Sequence, residues 1–255
     1  MSVRGRRGIG SVGARSYGVA MTFPLDAPAW LTRVGVFDLE TTGVDVTQDR
    51  IVTAHVGVLD RHGRELAARD WLADPGVPIP DEAAAVHGIS TEHARAHGRP
   101  ARDVVAEIVH ALRALFAQGL PIVAYNASYD FSLLAHEARR HGTPELAAPS
   151  PVIDPLVIDK AYDRYRPGKR TLTVVADHYA VPLDDAHEAS ADAVAAGRVA
   201  LALAREFAWP RSAAELHTRQ IGWARDQAAS LTEYFVGIGR IDPEQPLDGT
   251  WPVRR

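Results

Sequence analysis

The stretch Val34-Gly35-Val36-Phe37-Asp38-Leu39-Glu40-Thr41-Thr42-Gly43 constrains this chain more than any other segment. Its apolar residues occupy both faces of what the pattern predicts as a buried central strand, and two carboxylates stand on it at alternate positions. Side chains two apart on a strand share a face, so Asp38 and Glu40 are held side by side. Two like charges at that spacing repel and lose solvation unless a proton or a cation lies between them. The segment therefore asks for a metal at the C-terminal end of a strand, where open α/β sheets form their ligand crevice. With no cysteine in the chain, the ligands must be oxygen or imidazole, which favours Mg²⁺ or Mn²⁺ over a structural zinc.

Residues on either side predict the rest of the sheet. Arg50 to Asp60 and Glu65 to Leu72 are rich in strand formers and are separated by the turn signal His62-Gly63, so with the first strand they form an antiparallel meander. Asp81 and Ser90 are candidate caps of two short helices. Apolar residues at helical spacing run from Pro100 to Phe116. Pro121 to Tyr125 is a short apolar strand followed by a helix from Ala127 to His141, which Gly142 ends. Val152-Ile153-Asp154 reads as an edge strand, Pro155 to Tyr165 as a helix, and Arg166-Pro167-Gly168-Lys169-Arg170 as a basic loop, either a solvated turn or a phosphate-steering element. Thr171 is placed to cap a short helix, Ala-rich Glu188 to Phe207 is a long helix, and Ser212 to Phe235 is one more before a Gly/Pro-rich tail. Strands first, then strands alternating with helices, predict an α/β architecture with helices on both faces of a mixed sheet.

At 255 residues and 46% hydrophobic composition, there is enough chain for one sizeable domain with an appendage. The expected division is an N-terminal extension over 1–25, a main domain over 26–209, and a helical appendage over 210–255. Arg4, Arg6, Arg7 and Arg15 are the only charges before Met21, so the formal net charge of −4 becomes −8 without that segment. The extension is low in apolar content and is expected to be disordered. It is either a basic arm for nucleic acid or a stretch ahead of a natural start at Met21. No apolar run approaches the roughly 20 residues that span a bilayer, and a cytoplasmic protein is expected.

Two further motifs join the first. Asp130 falls in the opening turn of the helix after Tyr125-Asn126, and His187-x-x-x-x-Asp192 opens the Ala-rich helix, its carboxylate set among small residues. Together these are four carboxylates and a histidine from three elements. Phe37-Asp38-Leu39-Glu40-Thr41-Thr42-Gly43, Tyr125-Asn126-Ala127-Ser128-Tyr129-Asp130 and His187-Glu188-Ala189-Ser190-Ala191-Asp192-Ala193 resemble, in order and spacing, the three motifs of the DEDDh 3′–5′ exonucleases. That group has an RNase H-like fold and includes the proofreading subunit of the bacterial replicative polymerase, ribonuclease T and oligoribonuclease. Val86-His87-Gly88-Ile89 resembles a segment these enzymes carry between the first two motifs. Tyr125 and Tyr129 depart from the His and Phe of many polymerase-associated members.

The resemblance, which covers about residues 32 to 208, implies an RNase H-like mixed five-stranded sheet flanked by helices. It implies two divalent cations, Mg²⁺ or Mn²⁺, held by Asp38, Glu40, Asp130 and Asp192, with His187 as general base. Leu39, Thr41 and Thr42, with Asn126 and Phe131, are the candidates for binding the terminal nucleotide. The expected reaction is hydrolysis of phosphodiesters at the 3′ end of single-stranded DNA to nucleoside 5′-monophosphates, in proofreading or repair, with a DNA polymerase subunit as a candidate partner. The same chemistry on RNA, and a catalytically silent nucleic-acid or polymerase-binding module, are the alternatives. The intact five-residue set argues against the silent module. For the helix after Pro210, with Trp209, Trp223, Leu231, Tyr234 and Phe235, core packing is the default reading, with a dimer face or a polymerase-subunit contact as the alternatives.

Overall fold

The computed structural model describes residues 28–183 and 186–254; the expected N-terminal extension lies outside them. A short 3₁₀ turn at Ala29–Thr32 leads into β1 (Arg33–Thr41), then β2 (Ile51–Asp60) and β3 (Glu65–Asp74). These three strands form the expected antiparallel meander, with Asp38 opposite His55 and Glu40 opposite Thr53. Helices α1 (Asp81–His87) and α2 (Thr91–His97) follow. Ser90 caps α2 by accepting from the His93 N–H, whereas α1 begins after Pro80 and Asp81 lies within its first turn.

Then come β4 (Arg99–Pro100), α3 (Ala101–Ala117), β5 (Ile122–Val123), α4 (Ala127–His141), β6 (Val152–Ile153) and α5 (Pro155–Tyr162). The remaining helices are α6 (Leu172–His178), α7 (Ala189–Glu206) and α8 (Ala213–Gly237). Strand order is β4-β3-β2-β1-β5-β6, so the sheet has six strands rather than the expected five. The sixth is β4, a two-residue strand paired parallel to Ala73 and Asp74. So short a segment carries no periodicity, and its Pro100 reads in sequence as a helix start. β5 and β6 run parallel to β1.

Alternation along β1 divides the core. Phe37 and Leu39 face α3 and α4 with Ile108, Leu112, Leu133 and Leu134, while Val34 and Val36 face α5, α6 and α7 with Leu59, Ile158, Val199 and Leu203. Asp38 and Glu40 continue the second face, which brings them under α7. Contact there is close: a Cβ on Gly197 of α7 would stand 2.5 Å from Leu59 Cδ1 and 2.6 Å from Val36 Cγ1. Glycine at that point and the alanines around it let α7 lie down on the strand that carries the carboxylates.

The helix after Pro210 packs on this body through its first half. β6 is an edge strand whose free backbone groups need partners. α8 supplies them: His217 Nδ1 accepts from the Val152 N–H at 3.0 Å, Gln220 Nε2 donates to the Val152 carbonyl at 3.0 Å, and Gln220 Oε1 accepts from the Asp154 N–H at 2.6 Å. Trp209 is buried and Trp223 packs partly buried with its ring 5.5 Å from Tyr162, whereas Leu231 and Tyr234 are exposed. The tail after α8 returns to the body and buries Trp251 to 6% exposure.

Candidate active site

Three elements converge at the C-terminal end of β1. Asp38 and Glu40 come from the strand, Asp192 from the first turn of α7, and their carboxylate oxygens lie within 4.8 Å of one another. Asp192 Oδ1 is buried without a hydrogen-bond partner, and three clustered carboxylates with an orphaned oxygen suit a hard divalent cation. Among the described residues this is the set able to hold a metal ion. Asp130 stands behind it, buried to 3%, and its Oδ1 accepts from the Leu39 N–H at 3.2 Å. That bond ties the start of α4 to the strand.

The electrostatics follow from this crowding. Burial first, then the charges of Asp130, Glu40 and Asp192, push Asp38 well above the ordinary carboxylate range. Glu40 is pushed up to about 8 by burial and by Asp192. Burial also raises Asp130, against the pull of its backbone N–H donors. Asp192 is raised by burial, with the His187 N–H and the His187 charge pulling the other way. His187 is exposed, sits in the left-handed region at φ 73°, and its N–H donates to Asp192 Oδ2 at 3.4 Å.

Beside the carboxylates opens a cleft of about 690 Å³, lined by Leu39, Glu40, Thr41, Gly43, Val44, His87, Asn126 and Tyr129 among others. The Tyr129 hydroxyl bonds both the Thr41 hydroxyl and the Gly43 carbonyl, fixing the turn after β1. Leu39, Thr41 and Asn126, expected at a nucleotide pocket, all reach this cleft. Asn126 does so from a left-handed conformation at φ 60°.

Two expected substrate contacts do not. Phe131 is 2% exposed and packs edge-on against Phe37 at 5.3 Å between ring centroids, so its position on α4 points into the core. The Thr42 hydroxyl donates to Asp49 Oδ1 at 2.8 Å and accepts from the Arg50 N–H, holding the loop before β2 closed instead of facing the cleft. The basic loop is solvated at Pro167, Gly168 and Lys169, but its two arginines are not free to guide phosphate: Arg166 and Arg170 both pair with Asp159, which is 0% exposed. A carboxylate buried in α5 has to be matched by positive charge, and the loop supplies it.

Residue reading missed Asp154, which accepts from the N–H groups of Asn126, Ala127 and Leu156 at 2.9 to 3.0 Å and from the Trp251 indole at 3.3 Å. It therefore anchors the turn that presents Asn126 and Asp130. A signal existed, since Asp followed by Pro is a helix-start signature, and Pro155 opens α5. His87 also lines the cleft, its pKa lowered by burial, with the Thr41 carbonyl pulling the other way.

The fold and the site define an α/β protein with helices on both faces of a mixed sheet and a carboxylate cluster able to hold a metal ion at the end of its central strand. Residues 36–200 match the RNase_T exonuclease family, and the chain belongs to that family. It is 28% identical to the PolC-type DNA polymerase III of Streptococcus sanguinis over 174 residues, 68% of this chain and 11% of the polymerase. With that of Streptococcus agalactiae it shares 29% over 241 residues, 84% of this chain and 16% of the polymerase. The chain thus spans a small part of these relatives. Among solved structures it resembles E. coli exonuclease I in complex with a dT13 oligonucleotide, with a TM-score of 0.56 and 18% identity over 67% of this chain and 40% of that one. Exonuclease X in complex with 5′ overhanging duplex DNA gives 0.53 and 19% over 72% of this chain and 99% of that one. At these identities the structures share the fold. No described helix is long and apolar enough to cross a membrane.

Proposed function

We propose that this protein is a metal-dependent 3′–5′ exonuclease that releases nucleoside 5′-monophosphates one at a time from single-stranded DNA. The reading is carried by the meeting of Asp38, Glu40 and Asp192 within 4.8 Å beside a cleft of nucleotide size. Asp38, Glu40 and Asp192, with Asp130 behind them, would hold two divalent cations, Mg²⁺ or Mn²⁺. Such ions, when bound, neutralise the phosphate, activate a water and stabilise the leaving oxygen.

The protein's own groups do the rest. Leu39, Thr41, Asn126 and Tyr129 seat the terminal nucleotide. His187 accepts the proton of the attacking water as a new P–O bond forms and the bond to the upstream 3′-oxygen breaks; that oxygen takes a proton from solvent, leaving a shortened strand with a free 3′-hydroxyl. Exposure of His187 lets it deliver that proton to solvent. The division into an exonuclease domain over 26–209 and an appendage over 210–255 is part of the proposal. Relatives named as DNA polymerases support DNA over RNA as substrate and a polymerase as partner.

The test is incubation of 5′-labelled single-stranded DNA and matched RNA with the protein in Mg²⁺ and in Mn²⁺, beside Asp38→Ala and His187→Ala. A ladder shortening from the 3′ end, lost in both variants and faster on DNA, is expected. Faster cleavage of RNA reverses the substrate assignment, and no cleavage of either strand removes the catalytic reading.

A further inference from the structure

Apart from any bound cation, the cleft described above is a poor place for a polyanion: its charged lining includes Glu40 and Asp45, and Arg254 is its one Lys or Arg among the described residues. Arg254 arrives from the tail after α8, far in sequence from the nuclease motifs. Three contacts fix its approach. Trp251 is buried and donates to Asp154; the Arg254 N–H donates to the buried Ser132 Oγ at 2.7 Å; and Arg254 Nη2 donates to the buried Ser128 Oγ at 3.0 Å. Ser128 and Ser132 share one face of α4, the helix that carries Tyr129 and Asp130.

The guanidinium makes no ion pair among the described residues, although its charge is felt at Asp248. The guanidinium itself is held by one hydroxyl, that of Ser128, and so keeps donors and charge for something else. Arg254 and Asn126 also line an adjoining cavity, whose other charged lining residues are Asp154, Lys160 of α5 and Asp248.

We propose that Arg254 is a substrate-binding residue of this exonuclease, contributed by the tail, that grips the backbone phosphate next to the scissile one. The inference rests on the nuclease reading. The scissile phosphate is served at the carboxylates, and the neighbouring phosphate, with no metal of its own, needs a fixed cation where the strand leaves the cleft. The strap formed by residues 251–254 thereby makes the appendage part of the substrate site.

The experiment compares the full chain with Arg254→Ala, Arg254→Lys and Arg254→Glu. Kinetics are read on a single-stranded oligonucleotide in Mg²⁺, binding of the same oligonucleotide is read by anisotropy in Ca²⁺ across a salt series, and each variant is melted. Losing one phosphate contact is expected to raise KM about tenfold in Arg254→Ala with a much smaller change in kcat, and to flatten the slope of log affinity against log salt by about 0.7. Arg254→Lys should recover part of the affinity, and Arg254→Glu should bind more weakly than Arg254→Ala. An unchanged salt slope and KM overturn the proposal. So does a loss of kcat that tracks a fall in melting temperature, with the salt slope of the wild type retained, since a purely structural strap behaves that way. A wild-type protein that binds the oligonucleotide without cutting it overturns the nuclease reading instead, and the anisotropy series then decides Arg254 by itself.

Discussion

Metal and pH should act together on the stability of this fold through Glu40. Its carboxyl stands at about 8 in the folded protein against an ordinary 4.5. A folded value above the unfolded one means that the fold favours the protonated group. That contribution is complete below about pH 4.5 and is lost as pH rises through about 8. Asp38 and Asp192 are displaced in the same direction, so the metal-free protein should melt at a lower temperature at pH 8.5 than at pH 5.

A cation needs the ionised carboxylates and must expel the proton. At pH 6, two units below the Glu40 value, that costs about 2.7 kcal/mol at about 1.36 kcal/mol per unit. The upper limit is an affinity about a hundredfold weaker than above pH 8, and partial exposure of Glu40 makes tens of fold the expected figure. With metal at about a hundred times its dissociation constant, linkage supplies about 2.7 kcal/mol, or about 5 to 10 °C in melting temperature for a chain of this size. Differential scanning calorimetry with Mg²⁺ or Mn²⁺ against EDTA at pH 6 and 8.5 measures the shift. Titration calorimetry in two buffers of unequal ionisation enthalpy counts the protons released. Equal shifts at both pH values, absence of proton release, or a full shift in Asp38→Asn/Glu40→Gln would refute the reasoning.

Further outcomes follow from single contacts. Asp154→Ala strands three backbone N–H groups and an indole; urea unfolding should show a loss of about 2 to 4 kcal/mol, and an unchanged midpoint would remove Asp154 as the anchor of α4. Arg166→Ala leaves the buried Asp159 with fewer partners and should cost about 2 to 4 kcal/mol, while a raised KM at unchanged stability would restore phosphate steering to that loop. Tyr129→Phe removes the hydroxyl that bridges α4 to Thr41 and Gly43, which keep only their mutual bond at 2.7 Å, and should lower kcat/KM about fivefold, about 1 kcal/mol of lost positioning; parity with the wild type would show that the cleft wall holds without that hydroxyl.

What the sequence disclosed was whatever repeats at short range. The alternation of β1 put Asp38 and Glu40 on one face, and the turn His62-Gly63 with its flanking strands set the meander, which formed as expected. α4 begins at Ala127 and ends at His141, with Gly142 as the expected stop. Asp192 among alanines reached the carboxylate cluster because small residues let α7 approach the sheet. Long-range partners left no such trace. Phe131 reads as a pocket residue from its place beside Asp130, yet one further step along a helix turns a side chain by about 100°, and that step carries it into the core beside Phe37. Arg166 and Arg170 look like free basic charge until Asp159 is seen to be buried between them. β4 is defined only by its pairing with β3.

The carboxylates of Asp38, Glu40, Asp130 and Asp192 oppose one another, and a chain that assembles them must hold them from elsewhere. The buried carboxylate of Asp154 does much of this work at one remove. Its hydrogen bonds fix the first residues of α4, hence Asn126 and Asp130; its own N–H is held by Gln220 of α8; and its second oxygen holds Trp251, hence the strap that brings Arg254 to the cleft. Burial raises the pKa of Asp154, while the backbone donors and the Trp251 indole oppose the rise. Asp130, behind the carboxylates that would hold a cation, and the guanidinium at the cleft edge are thus positioned by the same group. Weakening Asp154 should therefore loosen metal binding and the grip on the strand together, whereas Arg254→Ala should affect the strand alone. A variant of Asp154 that retained both metal affinity and oligonucleotide affinity at full strength would show that α4 and the tail are positioned independently.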